Sequence, residues 1–259
     1  MNAKLDTGRV FERIFTIYRE QFTLLIPAAL VLFVPVAILN GLVLTSGGVL
    51  AALVTAVIAV IATYWYQGMV VEAVRDILDG RRDHTVGSLF SSATPFIWPL
   101  FGAGVLAGIG IAIGLVLLIV PGLFLLTIWA VIVPSIVIDR TGVIGAFGRS
   151  RELVRGSGWQ VFGVIVVLFL LQLVVGGILN AIGDSVSDGS FAGYAIADLI
   201  GRVLIVPLSA IAATVMYVEL RRIKGEPLAE DTTAAAPVPP PADPTTPPAP
   251  PPAPEAPAG

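Results

Sequence analysis

The chain has 259 residues, 56% hydrophobic and only 13% charged, with a net charge of −3; soluble domains carry about 25% charged residues, so a water-soluble globule is excluded. With no cysteine and one histidine, His84, disulfides, thiolate metal sites, cysteine nucleophiles and zinc centres are excluded too. Nothing ionised at neutral pH lies between Glu20 and Glu72, His84 and Asp139, or Arg155 and Asp184. A crossing needs roughly 20 apolar residues, so these gaps hold two, two and one crossings.

Residues 1–21 form the first predicted element, an amphipathic helix. At about 100° per residue, Val10, Phe11, Ile14, Phe15, Ile17 and Tyr18 share one arc, and Arg9, Glu12, Arg13, Thr16, Arg19 and Glu20 the other. That shape suits a helix lying among headgroups with its arginines toward anionic lipid. The next apolar run outlasts a signal peptide's core and reads as an uncleaved first crossing over 22–44. Thr45-Ser46-Gly47-Gly48 gives a flexible reversal, and the second crossing fills 49–71. It continues as an amphipathic helix carrying Glu72, Arg75, Asp76 and Asp79 on one side, and Gly80 stops it. Tyr64, Trp65, Tyr66 and Gln67 read as an interfacial belt at its inner end.

The third crossing, 96–120, and the fourth, 122–138, are joined by Pro121-Gly122, a tight turn pair. The third carries Gly104-x-x-x-Gly108 and Gly110-x-x-x-Gly114, a spacing that lets helix backbones approach closely; packing within the chain is the first reading, homodimerisation the second. Residues 143–155 repeat the amphipathic design, with Val143, Ala146, Phe147, Leu153 and Val154 opposed to Arg149, Arg151, Glu152 and Arg155. The fifth crossing spans 159–182, and a polar loop with Asp184, Ser185, Ser187 and Asp188 leads to the sixth, 194–218. Only the sixth contains charges, Asp198 and Arg202, spaced to pair along one helix face. An interfacial or structural pair is the first reading, a substrate or proton site the second. Pro27, Pro35, Pro134 and Pro207 fall within crossings and kink them. Residues 226–259 are rich in Pro and Ala and read as a disordered tail that spaces or recruits a protein partner.

Basic residues set the orientation, because cytoplasmic flanks are enriched in them. Lys4, Arg9, Arg13 and Arg19; Arg75, Arg81 and Arg82; Arg140, Arg149, Arg151 and Arg155; and Arg221, Arg222 and Lys224 make fourteen of the fifteen, all on one side of a six-crossing chain. Arg202 is the exception. Both termini are therefore expected in the cytoplasm. The expected fold class is all-α: a polytopic membrane bundle of six transmembrane helices with cytoplasmic interfacial amphipathic helices. An amphipathic segment followed by two crossings recurs three times the same way up, a parallel threefold pattern unlike the inverted repeats of many transporters.

No phosphate loop, dinucleotide fingerprint or hydrolase elbow is present, and no catalytic residue, metal ligand, cofactor or nucleic-acid partner is expected. The leading expectation is a non-enzymatic protein that organises membrane or partners, with Arg9, Arg13, Arg19, Arg149, Arg151 and Arg155 contacting anionic headgroups. Such flanks also serve as orientation determinants and packing collars. The alternative is a transporter or channel for a small or lipid-like solute, which requires Asn40, Thr55, Thr63, Gln67, Gln172, Asn180, Asp198 and Arg202 to converge on a midplane cavity.

Pro121-Gly122-Leu123, Trp129, Pro134, Asp139, Gly142, Ala146, Arg149-Ser150, Glu152-Leu153 and Gly156 resemble the membrane domain that precedes some bacterial glycerophosphoryl diester phosphodiesterases, and its stand-alone relatives. The opening from Gly8 to Pro35 is similar to that family's start. The resemblance implies a multi-helix protein of the bacterial inner membrane, and the Arg, Ala and Pro bias suits a high-GC bacterium. In that family phosphodiesterase chemistry belongs to a separate soluble barrel with catalytic His and acidic residues, so the resemblance implies no catalysis here.

Overall fold

The computed structural model describes residues 5–46, 48–78, 85–187 and 191–226; Lys4, Asp79, Gly80, Arg81, Arg82, His84, Asp188 and the segment 227–259 lie outside the described residues. Among the described residues the structure is all-α. Three short helices with one polar side, α1 (Thr7–Glu20), α4 (Val86–Ala93) and α8 (Gly142–Val154), alternate with longer apolar ones. Those are α2 (Phe22–Ser46), α3 (Val49–Leu78), α5 (Ile97–Leu117), the broken pair α6 (Ile119–Ile128) and α7 (Ile132–Val137), α9 (Gly158–Ser187) and α10 (Phe191–Ile223). Six spans among the described residues are long and apolar enough to cross a membrane.

Local chemistry sets the ends of the short helices. The Asp6 carboxylate accepts from the Arg9 N–H at 3.2 Å and caps α1. A reciprocal capping box starts α4: the Ser88 N–H donates to Thr85 Oγ1 at 3.2 Å and the Thr85 N–H to Ser88 Oγ at 2.8 Å. Gly156, at φ 97°, takes the left-handed conformation that stops α8 and turns the chain into α9.

Two expectations are corrected at the fourth crossing. The reversal after α5 falls on a single extended residue, Leu118 (φ −159°, ψ 136°), while Pro121 and Gly122 lie within the first turn of α6. A proline fits there because the first helical N–H groups have no intrahelical acceptor. The crossing is also two helices and not one, with Trp129–Val131 as a turn between them. Pro134 explains the break, since its ring lacks an N–H and collides with the carbonyl four residues earlier, that of Ala130. Other ends move outward: α2 runs through Thr45 and Ser46, and α9 through the expected loop to Ser187.

Packing makes three units, α1–α2–α3, α4–α5–α6/α7 and α8–α9–α10. Each short helix lies on the last crossing of the preceding unit: α4 on α3, α8 on α7 and, closing the ring, α1 on α10. It also touches the first crossing of that unit, as in α4 with α2, α8 with α5 and α1 with α9. The second crossings α3, α7 and α10 meet one another at the centre. This cyclic order is the parallel threefold pattern of the sequence carried into space. α1 buries Val10, Ile14 and Ile17 against protein, so the apolar face expected to sit in lipid is largely used in packing, with Phe15 left exposed.

Candidate functional site

Six of the eight polar side chains expected to converge line one groove; Asn40 and Thr55 do not. Two hollows of about 400 and 690 Å³ share Phe169, Gln172, Ile205 and Ser209 and so form a continuous, half-open groove among α3, α6, α9 and α10. Their sizes match those of small-molecule sites, about 300–1,000 Å³. Thr63, Gln67, Gln172, Asn180, Asp198 and Arg202 all line it. Thr55 does not; it is buried and returns its hydroxyl to the Ala51 carbonyl at 2.9 Å. From Asp198 to Met216 the groove follows α10 for about 27 Å at 1.5 Å per residue, close to the roughly 30 Å of a hydrocarbon core.

The two glutamines are the distinctive feature. Gln172 sits half-way along α9, and Gln67, expected in an aromatic belt, faces the same groove from α3. Neither amide has a hydrogen-bond partner among the described residues, and neither is sealed from the groove. Thr63 and Ser209 instead satisfy themselves on their own helices, on Ala59 O at 2.8 Å and Val206 O at 2.9 Å. An amide without a partner in an apolar medium costs roughly 2–7 kcal/mol, and these two are open hydrogen-bonding positions of the groove among the described residues.

At the groove's far end, toward the start of α10, Arg202 Nε donates to Asp198 Oδ2 at 2.7 Å. The bond uses one donor and one oxygen. The two Nη groups of Arg202 and Oδ1 of Asp198 have no partner among the described residues, and the side chains are 34% and 47% exposed. The expected i, i+4 pair is thus formed, and it borders the groove.

The opposite, basic end of the bundle is tied by ion pairs. Asp139, just after α7, receives Arg149 Nε on Oδ2 and Arg221 Nη1 on Oδ1, both at 2.9 Å. Arg149 also pairs with Glu226, and Arg221 donates to Tyr217 Oη at 3.2 Å. Arg149 is held charged chiefly by its bond to Glu226, against some desolvation; that same bond keeps the Glu226 carboxyl below the usual carboxylate range. Glu219 Oε1 accepts from Arg13 at 2.8 Å and Arg222 at 3.1 Å, and Lys224 Nζ donates to the Arg155 carbonyl at 2.8 Å. Of the six arginines expected at headgroups, Arg13 and Arg149 are therefore engaged inside the protein. Arg9, Arg19, Arg151 and Arg155 are exposed. No group of metal-binding side chains occurs among the described residues.

Ser150, fully buried on α8, repairs the break between α6 and α7. Its Oγ donates to the Ile128 carbonyl at 2.8 Å and accepts from the Val131 N–H at 3.3 Å. Trp129, in the break, packs edge-on to Phe147 of α8 with ring centroids 4.9 Å apart. Leu126 and Ala130 carry this region to the groove wall. Three glycines of the α5 stripe serve contacts within the chain: Gly104 on the Tyr64 ring, Gly110 on Trp129 and Gly114 on the Gly122 backbone. Gly108 faces open space among the described residues. Ser209, Glu219 and Glu226 belong to no motif in the sequence, and Asp139 stands out there only within the resemblance and at the end of a charge-free run. For the first three the only signal is position, a hydroxyl in an apolar run and acids just beyond a crossing.

Six apolar spans wound as three hairpins define a multi-pass helical membrane protein. The family model of a domain of unknown function, DUF7847, matches residues 85–220, more than half of the chain, and the chain belongs to that family. No curated protein and no solved structure matches the chain. The family match covers the Pro121-to-Gly156 part of the phosphodiesterase-domain resemblance, not its opening part from Gly8 to Pro35, and does not link the chain to that family. Gln172, Asn180, Asp198 and Arg202 lie within the match, whereas Thr63 and Gln67 precede it.

Proposed function

We propose that this protein is a non-enzymatic carrier of an amphiphile, which it holds in the groove among α3, α6, α9 and α10. The observation that carries the reading is the gathering of Thr63, Gln67, Gln172, Asn180, Asp198 and Arg202 on one groove, with two amides lacking partners among the described residues. An organiser that acts only through its flanks needs no such groove. A half-open groove about as long as a leaflet pair is thick admits a molecule sideways from lipid. Its apolar walls at Leu126, Ile165, Leu168 and Leu208 suit a hydrocarbon chain. With the basic end in the cytoplasm, as in a bacterial inner membrane, the Asp198–Arg202 end faces the outer leaflet. Exposed Arg9, Arg19, Arg151 and Arg155 then anchor the bundle on anionic headgroups.

Reconstitution with a phospholipid bearing a photoreactive acyl chain tests this reading. The expected adducts fall on groove residues of α9 and α10, and Gln67→Leu with Gln172→Leu lowers their yield about tenfold. Adducts spread over the bundle surface, or unchanged by both substitutions, overturn it.

A further inference from the structure

We infer that the amphiphile carries a zwitterionic headgroup, seated on the Asp198–Arg202 pair; the inference rests on the carrier reading of the same groove. Three features lead there. The pair is net neutral, and it stands at the very start of the sixth apolar span, Asp198–Ile223, the end of a crossing where headgroups give way to chains. Its single bond leaves both Nη groups of Arg202 for a phosphate, which guanidinium binds in a fork, and Oδ1 of Asp198 for an ammonium.

Charge balance selects the headgroup. A purely anionic head on Arg202 places its negative charge beside Asp198 and leaves net charge in a medium of low dielectric, where uncompensated charge is costly. A zwitterion satisfies both residues and adds none. The chain of the same molecule then runs toward Ile165 and Met216, past Gln172, whose amide stands half-way along α9 and is open to the groove.

The test uses the full chain in nanodiscs holding equal amounts of phosphatidylethanolamine and phosphatidylglycerol with identical photoreactive chains. The wild type is expected to crosslink the zwitterionic lipid in the groove about tenfold over the anionic one, the yield of one charge-assisted contact set. Asp198→Asn shifts the ratio toward the anionic lipid, Arg202→Gln lowers the capture of both, and the exchanged pair Asp198→Arg with Arg202→Asp restores the zwitterion preference. Groove adducts with equal capture of the two lipids, or a preference that both single variants leave intact, overturn the headgroup assignment alone. The absence of groove adducts for either lipid overturns the carrier reading with it.

Discussion

Ser150 shows how one hydroxyl sustains a broken helix. In a crossing, a carbonyl or N–H freed by a proline break has no water to turn to, and Ser150 answers one of each, at Ile128 and Val131. Ser150→Ala leaves both unpaired at about 1–3 kcal/mol; a lower thermal midpoint in detergent is expected, with helix content unchanged by circular dichroism. Glu226 gives a pH dependence of definite sign. Its carboxyl is depressed in the folded chain by Arg149, so its contribution is complete above the unfolded carboxylate value and is lost as pH falls through the lower folded one. Thermal midpoints of the wild type and Glu226→Gln should differ at neutral pH and converge only once the pH has fallen well below the ordinary carboxylate range.

At the level of elements, the α5–α6 hairpin depends on contact between backbones. A Cβ on Gly122 would stand 2.6 Å from the Leu115 backbone nitrogen, and one on Gly114 2.9 Å from the Gly122 Cα. A one-residue reversal leaves the two helices no room to separate. Gly122→Ala is expected to cost about 1–3 kcal/mol as overpacking, whereas Gly108→Ala, facing open space, is neutral or gains up to about 1 kcal/mol of helix propensity. Thermal unfolding of the two variants side by side checks the contrast. The short helices tell a related story. Hydrophobic periodicity makes α1 visible as an amphipathic helix, and the same periodicity fits lipid or protein. Only the surface offered by α10 decides that Val10, Ile14 and Ile17 pack inward.

The whole molecule is a ring of three hairpins, and this bears on topology. Since α1 packs on α10 and Arg13 meets Glu219, the two ends of the described chain stand on one face. The chain has no cysteine, so single substitutions report cleanly. Arg151→Cys is expected to react with an impermeant maleimide only after the cells are opened, and Leu118→Cys, at the exposed α5–α6 reversal, in intact cells. Labelling of both from one side contradicts the six-crossing reading.

Hydropathy and charge placement by themselves determined the helical class, the number of long apolar spans and the sites of the amphipathic segments, because each is a local property of about twenty neighbouring residues. The break at Trp129–Val131 was half-legible in Pro134, yet its position needed Ser150, nineteen residues further on from Val131, to become tolerable. The groove was legible only as an inventory of polar residues, six of which line it while Asn40 and Thr55 do not, and not as a place. Gln67, Gln172 and Asp198 stand far apart in the chain, and polar residues in separate apolar runs look alike whether they face lipid, a neighbour or one another. The register and rotation of α3, α9 and α10 decided that, because a helix shows its neighbours only one side, and which side is chosen by packing around the ring.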